Sequence, residues 1–245
     1  MLATDRLTAD AFATRVREEL ERCAVGRDHP VHQMLVTGVL NTSTLRTLAV
    51  QQWAFHVTFP SFLATLAGGC PDRAWRARLL RDAHEQDRQP GMIGRCEEWA
   101  RVCAVWGIST TELEAGELLP TTEAMLAIQD YIAHRPFAEG FAGLMIAVNG
   151  EALPHMDARR EAMVRCYGID GTALAYFDGY TNGDPQALLD EWSAVVHRHT
   201  PTRSAQEEAL RALRLVLHAR WEYFTGIGRA SGITVSRGDA DERTV

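Results

Sequence analysis

The chain has 245 residues, 46% of them apolar and 23% charged, and a net charge of −7. That length allows one large domain or two small ones with a substantial core, and the acidic balance argues against a nucleic-acid partner. All 25 basic residues are arginine, which excludes every mechanism that needs a lysine amine, from Schiff bases to the phosphate-loop lysine.

Thr8 or Asp10 is placed to cap a first helix on which Phe12, Val16 and Leu20 recur at i+4 as a buried stripe. Gly26 and Asp28 end it. His29-Pro30-Val31-His32 opens a short helix, since proline is tolerated in a first turn. A cap within 41–43 starts the next helix, with Leu45, Leu48, Gln52, Phe55 and His56 near one face; Pro60 is expected to kink or divide it. Pro71-Asp72 starts a helix carrying Trp75, Leu79, Leu80, His84 and Glu85. Residues 93–106 form another, closed by Gly107. A short helix or capped loop spans 109–119, and Thr121 or Thr122 caps a helix stopped by Pro136. Residues 141–155 are apolar or small almost throughout, the composition of a helix buried on every side, and Gly140, Ala142, Gly143 and Ala147 allow close helix approach. Helices over 157–167, from Asp170 to about 180, from the Asp184-Pro185 cap to about 199, and from Thr202 onward complete the domain. No stretch alternates in the manner of a strand. The expected fold is an all-α bundle around a central buried helix, with one domain over 1–230 and a disordered tail over 231–245.

No apolar run is long enough to span a membrane, and the start lacks the pattern of a secretion signal. Five widely spaced cysteines without a CxxC pair fit reduced thiols in a cytoplasmic protein.

Polar residues on otherwise apolar helices are the candidates for chemistry. Glu151 closes the central helix, where a carboxylate is costly unless it is paired; it faces a pocket or simply marks the helix end. His155 lies four residues on, a spacing that suits a carboxylate–imidazole pair. Arg81 and His84 share a helix face, and His84 has an ordinary pKa suited to proton transfer or metal ligation; a half-exposed polar helix end reads equally well. Tyr176, Tyr180 and Asp184 fall on one face if the helix is continuous, or else form an aromatic stripe followed by a capping Asp. Gln51, Gln52 and His56 suit a polar ligand or an exposed edge.

His29-Pro30, Gln52-Trp53, the run from Leu79 to His84, Glu97-Glu98-Trp99, Trp106-Gly107-Ile108, Glu151 with Pro154, Tyr176-Phe177 and Trp221 resemble, in order and spacing, the haem-oxygenase-like helical superfamily. Within it the chain is most similar to the branch of pyrroloquinoline-quinone synthase (PqqC) and TenA, over about 8–229. The resemblance implies a homodimeric oxidase of specialised metabolism that oxidises a small polar or aromatic amino-acid-derived substrate with molecular oxygen. It implies His84, Glu151 and His155 as catalytic residues, and Gln52, Arg81, Tyr176 and Tyr180 as substrate-binding residues. Diiron members carry His-x3-Asp-x2-His on a late helix; the matching positions here are Tyr180, Asp184 and Ala187, so no tightly bound cofactor is expected. If iron binds, the ligands are His84, Glu85, Glu151 and Asp184. TenA-type thiamin hydrolases use a cysteine nucleophile, which the central stretch lacks. A metal-dependent oxidase and a non-oxidative small-molecule-binding protein are the alternatives.

Overall fold

The computed structural model describes residues 6–87, 94–179 and 183–235, and all regular structure among them is helical. The N-terminal part comprises α1 (Ala9–Arg22), a single turn α2 (Val25–Asp28), α3 (Pro30–Thr37) and the long α4 (Thr42–Gly68). Then come α5 (Arg73–Gln86), α6 (Arg95–Val105), α7 (Thr110–Ala115), α8 (Pro120–Ala133) and α9 (Phe137–Phe141). The chain continues as a π-helical segment, Ala142–Gly150, and a 3-10 turn, Leu153–His155. It ends with α10 (Met156–Tyr167), a 3-10 turn (Gly171–Leu174), α11 (Ala175–Asp178), α12 (Pro185–Arg198) and α13 (Arg203–Ala230).

Local chemistry sets most of these boundaries. Thr8, Asn41, Asp72, Ser109, Asp184 and Thr202 each accept a backbone N–H of the following turn, satisfying donors that a helix start leaves open. Gly107 and Gly168 follow helix ends with φ of 71° and 69°, conformations that glycine adopts without a Cβ clash. Other boundaries depart from expectation. Pro120, not Thr121 or Thr122, begins α8, and Asp170 leads into a 3-10 turn without a side-chain cap. Pro60 does not divide α4, which continues through it. The proline forfeits one ladder bond, but it is buried within a 27-residue helix packed against its neighbours on both sides of that point.

The central stretch is buried as its composition requires: every residue from 137 to 148 is enclosed. It lies against α8, α9, α12 and α13. A Cβ on Gly140 would come within 2.7 Å of Leu66 Cδ1 and 3.1 Å of the Ile132 carbonyl, and one on Gly143 within 3.2 Å of Val216 Cγ2. Small residues there allow α4, α8 and α13 to approach. Its π-helical hydrogen bonding is not legible in the sequence; such widened turns are rare and concentrate at functional sites.

One cluster of buried apolar residues runs from Phe12 on α1 to Ile227 on α13. Beyond α13 the chain folds back, with Ile233 N donating to the Gly228 carbonyl at 2.8 Å and Ile233 packing on the core. Of the tail expected over 231–245, residues 236–245 lie outside the described residues. No helix among the described residues is long and apolar enough to cross a membrane.

Candidate active site

α3, α4, α6, α8, the π-helical segment, α10, α11 and α13 line a partly open cavity of about 90 Å³, several times the space that one water needs. Its apolar wall includes Leu48, Phe55, Trp99, Met125, Phe177 and Phe224. Trp99 is fixed by donating its indole N–H to the Ala49 carbonyl at 3.1 Å.

One polar group spans α4, α11 and α13. Tyr223 donates its hydroxyl to Gln52 Oε1 at 3.2 Å. That leaves the Gln52 amide N–H for His56 Nε2, at 3.2 Å. The same nitrogen lies 3.0 Å from the Tyr176 hydroxyl. With two donors aimed at Nε2, the ring proton of His56 belongs on Nδ1. Burial pulls the His56 pKa well below its ordinary value, with Arg95 adding to the effect, and burial raises that of Tyr223. Both are neutral at neutral pH.

A second polar group comes from α3, α10 and α13. His29 caps α3 by accepting the Val31 N–H on Nδ1 at 3.2 Å, and its Nε2 lies 3.3 Å from Thr225 Oγ1. One turn on, His32 lines the cavity. It is buried, and neither ring nitrogen has a hydrogen-bond partner. Burial, then the positive Arg159, pulls its pKa well below the usual value. Arg159 and Arg220 line the same region.

Glu151 sits directly behind this group. It is 4% exposed, accepts the backbone N–H of Gly26 and pairs with Arg220 at 3.5 Å. A Cβ on Gly26 would collide with the His155 ring, and would lie 2.7 Å from Arg159 Nη2 and 3.0 Å from Glu151 Oε1. Gly26, Glu151, His155 and Arg159 therefore form one tight knot. Arg220 pairs with Glu151, and Arg159 stands in the same knot beside the cavity.

The expected site residues are thus partly assembled. Gln52 and Tyr176 line the cavity. Glu151 is buried as a partner of the cavity wall, and half-buried His155 is beside it, its pKa lowered by burial and partly restored by Glu151. Arg81 and His84 project outward from α5 and are exposed; they do not line the cavity, because the buried stripe of that helix is Trp75, Leu79 and Ala83. Glu85 borders a separate outer cavity of about 520 Å³, which shares only Asn149 with the inner one among the described residues. Asp184 is exposed and caps α12 by accepting the Gln186 N–H at 2.9 Å. The set His84, Glu85, Glu151 and Asp184 is therefore not brought together, and no group of three or more His, Cys, Asp or Glu side chains placed to hold a metal occurs among the described residues. Tyr180 lies outside the described residues. Gln51 is structural, bridging the Glu117 carbonyl and the Leu119 N–H at 3.0 and 2.9 Å.

Sequence reading did not single out His32, Arg159, Arg220 or Tyr223. A signal existed for Arg220: it continues the apolar spacing of Leu213 and Leu217 into Phe224, a charge set in a buried stripe. Nothing distinguishes Arg159 from its neighbour Arg160 by sequence.

Residues 15–153 match the TENA/THI-4/PQQC family. A pyrroloquinoline-quinone synthase of Rhizobium meliloti (strain 1021) is 27% identical over 232 residues, covering 89% of this chain and 84% of the relative. One from Acidiphilium cryptum (strain JF-5) is 24% identical over 209 residues, covering 82% of each. Among solved structures, a TenA homologue from Pseudomonas syringae pv. tomato superposes with a TM-score of 0.75 at 12% identity, covering 91% of this chain and 96% of the other. A Shewanella denitrificans domain described as having a haem-oxygenase-like fold gives 0.72 at 11% identity, covering 92% and 94%. These likenesses identify the fold.

Proposed function

The chain belongs to the TENA/THI-4/PQQC family, and from that premise we propose that it is an oxygen-dependent oxidase of a small, carboxylate-bearing aromatic or amino-acid-derived molecule. No tightly bound metal takes part in this reading. The observation that carries it is the inner cavity: aromatic walls, a hydrogen-bonded polar chain and two arginines around one space.

Arg159 and Arg220 hold the substrate carboxylate, the task for which a guanidinium fork is suited. Glu151 orients Arg220 and, through Gly26, fixes the turn that precedes α3. The flat walls Trp99, Phe177 and Phe224 favour a planar ring. The substrate gives up two electrons; oxygen takes them with two protons to become hydrogen peroxide. Tyr176 and His56 are placed to move protons within the cavity. The relatives named pyrroloquinoline-quinone synthase support an oxidase over a hydrolase. So does the absence of cysteine among the described residues that line the cavity, since a thiol nucleophile would have to be there.

The test is oxygen uptake in the presence of chelator, with a panel of aromatic and amino-acid-derived carboxylates and peroxide measured alongside. The expected result is uptake with at least one substrate and a loss of tenfold or more in kcat/KM for Arg159→Leu, equivalent to about 1.4 kcal/mol. Uptake that needs ferrous iron would establish the metal-dependent alternative, and tight binding without uptake the non-oxidative one.

A further inference from the structure

We propose that His32 is the proton acceptor of this site, taking an acidic hydrogen from the bound substrate and leaving an anion beside Arg159 and Arg220. The proposal rests on the inner cavity being the substrate site.

His32 is buried, and both of its ring nitrogens lack a hydrogen-bond partner in the folded chain. Buried polar atoms are nearly always paired, and a histidine with two orphaned nitrogens is rarer than one with a single lapse. The contrast with nearby histidines is direct. His29 uses one ring nitrogen for the Val31 N–H and places the other at Thr225, and His56 is held by Gln52 and Tyr176. His32 is instead held by shape alone, with its ring centroid 4.1 Å from that of Phe224 and 6.4 Å from that of His29. It lines the cavity, so a ligand there can supply the missing partners.

The charges around it suit proton transfer. Arg159 on α10 and Arg220 on α13 disfavour protonation of the ring, as do His29 at the start of α3 and His155 before α10 when they are themselves protonated. The ring is therefore neutral, with one nitrogen carrying a lone pair and the other a proton. A substrate O–H or N–H meets the lone pair. On transfer the substrate X–H bond breaks, an N–H bond forms on His32, and the electron pair stays on the substrate. The anion then offsets the repulsion that His32 feels from the two arginines, so the imidazolium and the anion stabilise each other. The step needs no oxidant, and it leaves an electron-richer molecule for oxygen to oxidise.

The probe is 4-hydroxy-3-nitrobenzoate, which carries a carboxylate and a phenol whose ionised form absorbs in the visible. It is added under argon to the full chain with 15N-labelled histidine, at a pH below the probe's own phenol pKa. His32→Gln, which cannot accept a proton, identifies the His32 resonances by their disappearance. The expected result is a phenolate band on binding, together with a change of the His32 ring from one protonated nitrogen to two; the band falls at least tenfold in His32→Gln. A bound probe that leaves His32 neutral, or a probe that does not enter the cavity, overturns the proposal. The wild-type spectra decide the matter even if the variant folds poorly. Because oxygen is absent, failure here leaves the oxidase reading standing, and a failure of oxygen uptake leaves this result unaffected.

Discussion

His32 and Glu151 are both buried polar residues, and their energetics are opposite. Each unpaired buried polar atom costs about 1–3 kcal/mol, so the two orphaned nitrogens of His32 make it a site that gives up stability. Replacing it with leucine removes both. Urea unfolding of His32→Leu is expected to show a stability higher by about 1–3 kcal/mol, with probe binding lost; a marked destabilisation would mean that His32 has a structural partner. Glu151 is satisfied, by the Gly26 N–H and by Arg220. Removing one partner of a buried pair costs about 3–5 kcal/mol, so Glu151→Ala should lose stability on that scale. Glu151→Gln, which keeps an acceptor for Gly26, should lose markedly less. Equal losses in the two variants would show that the Gly26 contact contributes nothing. At this scale the sequence was informative for Glu151, because a lone carboxylate after an apolar helix is conspicuous. It was uninformative for His32, because a histidine three residues after a His-Pro helix start looks the same whether its ring is capped, solvated or orphaned.

Among the elements, the short α2 turn and the π-helical segment are brought together by Glu151. Gly26 has no room for a side chain: a methyl group would press on His155, Arg159 and Glu151 at once. Overpacking of this kind costs about 1–3 kcal/mol. Gly26→Ala should lose that much in thermal or urea unfolding, and should raise KM for any carboxylate substrate, since Arg159 and Glu151 must shift; an unchanged KM would show that the knot does not position the binding groups. The helices themselves were legible because caps, glycine stops and apolar spacing are local signals, and Thr8, Asp184 and Thr202 behave as their chemistry predicts. Pro60 does not divide α4, because packing on both flanks outweighs one missing hydrogen bond. The π-helical turns had no signal, since their register is decided by how Ala142–Gly150 fits between α8, α12 and α13. The face of α5 was left open for a related reason: Arg81 and His84 look reactive in sequence, but Trp75, Leu79 and Ala83 claim the inner face.

In the whole molecule, acid sensitivity follows from the histidines that folding buries. Burial lowers the pKa of His29 to about 4, and those of His32 and His56 well below the ordinary value of 6.5. A folded-state pKa below the unfolded one means that unfolding takes up protons. Their contribution to stability is complete above about pH 6.5 and is lost as the pH falls below it, for His29 down to about 4. With three such groups the slope is roughly 4 kcal/mol per pH unit at its steepest, at about 1.4 kcal/mol per unit for each proton. Urea midpoints measured across that window should fall steeply, and His32→Leu should flatten the curve by about one proton. A flat profile would mean that these rings are solvated. The overall architecture could be read because it follows from helix spacing and from ordered short motifs. The cavity could be read only in part, because it depends on which faces of α3, α10 and α13 meet.

The most direct test of the inner cavity as the seat of chemistry is oxygen uptake by Tyr176→Phe and His84→Ala side by side, on the substrate found by the panel. Tyr176 is buried within the cavity wall and hydrogen-bonded to His56, whereas His84 is exposed on the outer face of α5. The account predicts that Tyr176→Phe loses tenfold or more in kcat while His84→Ala stays within about twofold of the wild type, a margin of under 0.5 kcal/mol. Loss of turnover in His84→Ala with Tyr176→Phe unimpaired would contradict it and move the reaction to the outer face of the bundle.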